Sequence, residues 1–300
     1  MRLNPHSPVL ARGGGAVQVG LAAPAVLRGL GSEERAFVAS LEGGRPVSAA
    51  QARRFSRVIT RLTNAGAWWE PPAVACASVA VHGCGRLGMA IAAALADSGL
   101  GVTLHDDAPS GAEEAGLYVQ HEGTCAGAAA ATLALRGLRP RVGGAGESVA
   151  VVTCVGSPDP VLVARLLRTD TPHIVVACTE SEAWISHVVV PGTSPCLRCR
   201  DLALSRADPE WPLVALQLSG PSQRGRRPRT SDTARPVIAG MVCALVGGWL
   251  HAGDPGNAMV VGDDGRMRVS EVLADPACGC GAAAGAVDRF AVERAQLVAD

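Results

Sequence analysis

Three hundred residues with 48% hydrophobic content suit one large domain, or two with one dominant, and aromatics at 3% leave the core to Ala, Val and Leu. Formal charge is zero, with 27 basic residues, all arginine, against 27 acids, so any role that ordinarily needs lysine is filled differently or absent. The N-terminus MRLNPHSPVLARGGG lacks the apolar core of a signal peptide, and the longest apolar run, Pro236 to Leu250, is short for a bilayer, which excludes secretion and membrane spanning from the expectation and leaves a soluble cytoplasmic protein whose ten cysteines are not a disulfide framework.

Residues 1–70 carry nine arginines against four acids, and the remainder carries 18 against 23, so a basic unit precedes a faintly acidic body. A short strand is expected at Ala16 to Val19. A helix follows Ser32, with Glu33 and Glu34 in the first turn, where the macrodipole favours acid. Ser48 and Gln51 match a capping box, and Phe55, Val58, Ile59 and Leu62 recur at helical spacing, predicting a second helix from Ser48 to Asn64. Trp68–Trp69 reads as a closing strand. Helix, turn, helix, strand predicts a winged-helix-like module over 1–70, with Glu70–Val74 as linker. Arg53, Arg57 and Arg61, four apart, form a stripe beside the apolar face and could attract an acidic peptide or DNA.

From Ser78 onward β-branched runs alternate with alanine-rich helical stretches. Strands are predicted at Ser78–His82, Val102–His105, Val149–Thr153, Ile174–Cys178 and His187–Val190, which argues an α/β fold with a parallel sheet over residues 75–300. Residues 219–235 read as a basic polar loop, and a helix is expected from Pro236 to His251.

Between the first strand and helix, Gly83, Gly85 and Gly88 match G-x-G-x-x-G. The first glycine permits the tight turn, the second admits a phosphate to the backbone and the third lets helix and sheet close. Asp106 and Asp107 end the next strand, where an acid can bind ribose hydroxyls. Arg86, inside the turn, is a candidate phosphate contact, as are the loop arginines Arg224, Arg226, Arg227 and Arg229. His82 and His105 end neighbouring strands beside the turn, and Glu180 and Glu182 follow the Ile174 strand near the expected crevice. The motif does not separate a dinucleotide from ATP.

Cys196 and Cys199 form a C-x-x-C pair, and Cys278 and Cys280 a C-x-C pair 79 residues later. Four thiolates around Zn²⁺ would make a closed structural site that ties the tail to the body, its charge partly offset by Arg198 and Arg200; a redox C-x-x-C or unliganded thiols are the alternatives. Cys76, Cys84, Cys125, Cys154, Cys178 and Cys243 lie in apolar stretches and read as buried filler.

A glycine turn, a parallel sheet and this distant cysteine quartet together resemble the ThiF/MoeB-like family, the fold of ubiquitin-activating-type adenylyltransferases. The resemblance is carried by VAVHGCGRLG and by VVVPGTSPCLRCRDLALSRADPEWPLVALQL, and covers residues 75–280. With DPACGC and the basic N-terminal module it is similar to the actinobacterial branch of leader-peptide-binding, cyclodehydratase-associated proteins from ribosomal peptide clusters, whose N-terminal module is PqqD-like. The resemblance implies ATP and Mg²⁺ chemistry on a carboxylate, a homodimer, a precursor leader peptide as ligand and a YcaO-type modifying enzyme as partner. The family places an arginine and a lysine after the ribose acid, but Ala108 to Leu135 holds neither. It also places an aspartate where Gly156 falls, with Asp159 three residues on. The expectation is a leader-binding protein with degenerate adenylation; an active adenylyltransferase, a nicotinamide oxidoreductase and a DNA-binding module are the competing readings.

Overall fold

The computed structural model describes residues 1–69, 77–110, 116–119, 123–144, 146–219 and 228–282. The chain divides into two compact units, Met1–Ala73 and Val74–Asp300. The linker expected at Glu70–Val74, Cys76 and the loop arginines Arg224, Arg226 and Arg227 lie outside the described residues.

The first unit opens with strands β1 (Val9–Ala11), β2 (Val17–Val19) and β3 (Ala25–Leu27), which form an antiparallel sheet in that order. The sequence predicts only the middle strand. Helix α1 (Ser32–Ser40) follows; the Glu34 carboxylate accepts the Gly31 backbone N–H at 2.8 Å and so satisfies one of the helix's orphan donors. The capping box at Ser48 forms: Gln51 N–H donates to Ser48 Oγ at 3.2 Å, and Ser48 N–H to Gln51 Oε1 at 2.9 Å.

The single helix expected from Ser48 to Asn64 is two helices, α2 (Ala49–Arg54) and α3 (Ser56–Asn64). Phe55 breaks it at φ −110°, ψ 29°, and its ring stacks on Phe37 with centroids 4.3 Å apart. A tertiary ring contact overrides the local period there. Val58, Ile59 and Leu62 still face inward, against Val17, Leu27 and Val38. The expected closing strand at Trp68–Trp69 is one antiparallel bridge, Leu3 to Trp68.

The second unit is a mixed α/β fold around an eight-stranded, mostly parallel sheet. Its strands are β4 (Ser78–His82), β5 (Gly101–His105), β6 (Arg141–Val142), β7 (Val149–Val155), β8 (His173–Cys178), β9 (Glu182–Ile185), β10 (Ala258–Gly262) and β11 (Met267–Ser270). The order is β11-β10-β9-β8-β7-β4-β5-β6, parallel from β8 to β6 and antiparallel from β8 to β11. The strand expected at His187–Val190 does not form; this segment joins the sheet through a bridge from Val189 to His173, and Val188 N–H donates to the Pro255 carbonyl. The chain instead reverses after Cys178 and returns as β9, five residues earlier than the β-branched run suggests.

Alternation along each strand fills both faces. Val79, Val81, Val102, Val151 and Val176 meet helices α4 (Arg86–Asp97), α5 (Cys125–Ala134) and α9 (Ala234–Ala252). Ala80, Val152, Val175 and Trp184 face the other way, where Leu162 and Leu166 of α6 (Pro160–Arg168) cover them. Two more helices, α7 (Leu197–Ala207) and α8 (Trp211–Leu218), complete the described elements. The 19 residues of α9 are long and apolar enough to cross a membrane by length and composition, more than the run from Pro236 suggests. Its Ile238, Val242 and Val246 are nonetheless buried in the core, each contributing roughly 1.5–3 kcal/mol.

Candidate functional site

The strand order places β4 between β5 and β7, so the chain steps from β4 to β5 and β6 on one side and from β7 to β8 on the other. Such a switch point opens a crevice beyond the carboxyl ends of the strands. A cleft of about 560 Å³ lies there, lined by the end of β4, the end of β5 and the end of β7.

The glycine turn builds its floor. Gly83 adopts φ +91°, and a side chain on it would stand 2.4 Å from Thr153 Oγ1. Thr153 is no bystander, since its hydroxyl lies 3.1 Å from the His82 carbonyl and 3.3 Å from that of Gly83 and can donate to either. A Cβ on Gly88 would sit 1.8 Å from the Gly83 carbonyl oxygen, so the third glycine lets α4 close onto the turn. Gly85 caps α4. Of the six candidate cofactor residues, Gly83, Asp106 and Asp107 line the cleft, whereas Gly85, Arg86 and Gly88 do not. Arg86 begins α4 and is exposed.

The two acids divide their work. Asp106 Oδ2 accepts the Cys84 N–H at 2.7 Å and Oδ1 that of Ala108 at 3.3 Å, so this carboxylate braces the turn. Tyr118 adds a second brace by donating its hydroxyl to the Cys84 carbonyl at 2.6 Å. Asp107 is exposed in the cleft wall and has the freer carboxylate for a ligand hydroxyl.

His82 and His105 are register partners on β4 and β5, and their rings stack with centroids 4.5 Å apart. Burial, with the charges of His105 and Arg165 adding to it, holds the His82 imidazole down at about 3, so it is neutral at physiological pH. His105 Nε2 and Glu147 Oε1 are buried 3.8 Å apart, and neither has a hydrogen-bond partner among the described residues.

Sequence reasoning misses Arg165 and undervalues Asp159. Both line the cleft from α6: Asp159 caps that helix by accepting the Val161 N–H at 2.9 Å, and Arg165 stands on the same helix. Among the described lining residues the charged groups are thus three carboxylates, Asp106, Asp107 and Asp159, and one cation, Arg165. Glu182 does not line this cleft; it pairs with Arg268 at 2.9 Å in the wall of a second pocket. Cys84, Cys125 and Cys178 are buried as expected, but Cys154 is part-exposed and lines the cleft.

The four cysteines converge. Cys196 caps α7, Cys199 sits in its first turn, and the Sγ atoms of Cys196, Cys199, Cys278 and Cys280 all lie within 4.8 Å of one another. The closest pairs are 3.6 Å apart, far beyond a disulfide bond of about 2.05 Å. A tetrahedral thiolate centre with metal–sulfur bonds of about 2.3 Å separates its sulfurs by about 3.8 Å, so the donor set fits a metal ion. Burial pushes the Cys196 and Cys278 thiols up; at Cys280 burial is outweighed by hydrogen bonds, beginning with that of the Ala282 backbone, and the net direction is down. A bound cation would draw all four to thiolates. The second pair is held to α7 by Asp275, buried at 4% exposure, which takes two hydrogen bonds from Arg206, one at 2.9 Å. Asp275 also accepts the Ala277 N–H, and its carbonyl accepts the Cys278 N–H, both at 2.9 Å.

The basic stripe is divided by the break at Phe55. Arg53 lies in the last turn of α2, while Arg57 and Arg61 belong to α3. Arg53 and Arg57 are exposed, and Arg61 donates to the Arg28 carbonyl at 2.9 Å.

No family model matches the chain, and no curated protein matches it by sequence. Solved structures do. Microcin C7 biosynthetic enzyme MccB in complex with N-formylated MccA is 15% identical, with a TM-score of 0.57, over 93% of this chain and 99% of that one. The chain has the MccB fold. E. coli MccB with ATP is similar to it over 93% of this chain and 98% of that one, at 16% identity and a TM-score of 0.56. The heterocyclase TruD is similar over 94% of this chain and 42% of its own length, at 15% identity and a TM-score of 0.58. The mixed sheet and helical layers fit the ThiF-like structure expected from the glycine turn and the cysteines.

Proposed function

We propose that this protein binds the leader of a ribosomally made precursor peptide and presents it to a modifying enzyme of the YcaO cyclodehydratase type, with degenerate adenylation chemistry. The observation that carries this reading is the extent of the fold likeness. It runs over 93% of the chain, so it takes in the N-terminal unit as well as the sheet, and MccB has been solved with N-formylated MccA. N-formylation marks the start of a bacterial translation product, which fits a ribosomal peptide ligand. TruD, a heterocyclase, supplies the link to ring-forming modification.

In this reading residues 1–70 are the winged-helix-like, PqqD-like recognition module, with Arg53, Arg57 and Arg61 toward the acids of the leader. Residues 75–300 are the nucleotide-binding-fold domain, acting as a homodimer, with structural Zn²⁺ on Cys196, Cys199, Cys278 and Cys280. Gly83, Gly85 and Gly88 shape the crevice, and Asp107, braced through Asp106, takes ribose hydroxyls. Three carboxylates against Arg165 among the described lining residues form a poor cradle for a triphosphate, and this supports degenerate chemistry.

Arg165 and Asp159 favour a second reading. Facing one cleft, they could serve an ATP-dependent adenylyltransferase that activates the C-terminal carboxylate of a peptide or sulfur carrier. The deciding experiment titrates a labelled leader and a labelled DNA duplex against full-length protein and protein lacking residues 1–70, at two salt concentrations. Recruitment through the N-terminal unit requires leader binding that disappears on truncation. Equal binding by the truncated protein removes that assignment, and binding of the duplex alone makes the module a DNA reader.

A further inference from the structure

Outside the glycine-turn cleft, a second pocket of about 440 Å³ lies between α7 and the antiparallel end of the sheet. Trp184, Leu204, Val260, Val272 and Leu273 form apolar walls, and Thr179, Glu182, Ser270 and Glu271 add polar groups to the lining. Two guanidinium groups reach it. That of Arg268 is matched by Glu182 at 2.9 Å. That of Arg200 has only a loose ion pair. Its nearest carboxylate, Asp201, is 4.0 Å away, beyond hydrogen-bond distance, and Asp201 Oδ1 already accepts the Trp211 indole N–H at 3.2 Å. Among the described residues the Arg200 side chain has no hydrogen-bond acceptor.

Arg200 is held in place all the same. Its guanidinium carbon lies 4.3 Å from the centroid of Trp184 and 5.9 Å from that of Trp211, and its side chain is only 27% exposed. Two indole rings pack beside a fork of five donors without accepting hydrogen bonds from it. A side chain present only to balance the neighbouring thiolates would need neither the rings nor the pocket.

From this placement we infer that the Arg200 pocket binds the carboxylate of a peptide, the planar guanidinium taking both oxygens and the apolar walls taking the adjoining side chain. A fixed guanidinium matches a carboxylate in two parallel hydrogen bonds, and the volume suits one or two residues rather than a folded partner. The inference is independent of leader binding by residues 1–70, because every residue of the pocket belongs to the second unit. The pocket also adjoins the first cleft: Gly156 lines one while Val155 and Ser157, its neighbours on the chain, line the other.

Isothermal titration of the full-length, metal-loaded protein with three capped dipeptides tests this. N-acetyl-Ala-Leu carries a terminal carboxylate, N-acetyl-Ala-Leu amide carries none, and N-acetyl-Asp-Leu amide carries one on a side chain. The expected result is saturable binding of one or both carboxylate probes, at least about tenfold tighter than the uncharged amide, as a charge-assisted pair provides; which of the two binds identifies a chain terminus or an acidic residue as the source. Arg200→Gln should erase the preference with metal content unchanged. Ala203→Phe, which narrows the pocket and keeps Arg200 beside the cysteines, should weaken the carboxylate probes even where the glutamine variant loses metal. Equal binding of all three probes, no binding of any, or an undiminished preference in both variants overturns the assignment.

Discussion

The Sγ atoms of Cys196 and Cys278 stand 3.6 Å apart although 82 residues separate them in the chain, and Cys199 and Cys280 stand equally close. Nothing covalent holds them, and three buried thiols and a half-buried fourth this close gain little unless a cation shares their charge. Purified without chelators, the protein should contain one equivalent of zinc per chain by elemental analysis. Cys278→Ser, or chelation, should lower the unfolding temperature by about 10 °C or more, given that 1 kcal/mol moves a domain of this size by about 2–4 °C. Far less than one equivalent in the wild type would leave the four cysteines as unliganded thiols.

The Arg206–Asp275 pair makes the same region sensitive to acid. Hydrogen bonding from Arg206, then from the Ala277 backbone, holds the Asp275 carboxyl below its ordinary value. A carboxyl with a lowered folded value binds fewer protons folded than unfolded, so its contribution is complete above the ordinary carboxylate range and lost as pH falls through the lowered value. Asp275→Asn should therefore cost stability and metal retention at neutral pH. The gap from wild type should stay constant down to about pH 5 and close only below the ordinary range, near 3.8. Unfolding of both proteins followed across pH measures it, and a gap that is absent at neutral pH removes the role assigned to the pair.

What the sequence makes legible is what local chemistry dictates. The turn at Gly83 and the contact at Gly88 follow from the motif because no side chain fits there. The cysteines announce each other because thiolate chemistry requires neighbours. Arg165 is hidden for the opposite reason: its place in the cleft depends on how α6 lies on the sheet, which no spacing within the helix encodes. The break at Phe55 is set by the distant ring of Phe37, and β9 by a reversal at Thr179–Ser181 that carries no glycine or proline signal. Asp106 illustrates a subtler case, since its position is predicted but its carboxylate is occupied by the turn it was expected to serve from outside.

His82 should impose a pH dependence of its own. It is held at about 3 in the fold against 6.5 as an ordinary histidine, so between these values the unfolded chain binds the extra proton and stability falls as pH falls. One such group changes stability by up to about 1.4 kcal/mol per pH unit within its window. Burial lowers His173 and His187 in the same direction. His82→Gln should flatten the slope of unfolding free energy between pH 6.5 and 5 without abolishing it, as measured by denaturant titration. An unchanged slope would mean that His82 protonates freely in the fold.

Adenylation should be weak or absent. Exchange of labelled pyrophosphate into ATP, with a candidate peptide or a carrier protein present, should stay near background. Arg165 is the one cation among the described lining residues, so any residual exchange should fall about tenfold or more in Arg165→Ala, the loss of one charge-assisted contact. Robust exchange in the wild type would put the adenylyltransferase reading first.

The three arginines of the N-terminal unit should behave as two classes. Arg53 and Arg57 are exposed on different helices, and no hydrogen bond or ion pair of theirs occurs among the described residues. Exposed charge pairs are worth roughly 0.2–1 kcal/mol each, so changing both to alanine should weaken leader binding about two- to tenfold and flatten its salt dependence, with the unfolding temperature unchanged. Arg61 instead joins α3 to the segment after β3 through the Arg28 carbonyl at 2.9 Å. Its replacement by alanine should cost about 0.5–1.5 kcal/mol of stability in the first unit and leave the salt slope of binding nearly intact. Binding isotherms at two salt concentrations, beside thermal unfolding of each variant, separate these effects. If Arg61→Ala flattens the salt slope as strongly as the double variant while stability holds, Arg61 faces the peptide and the hydrogen bond to Arg28 is incidental.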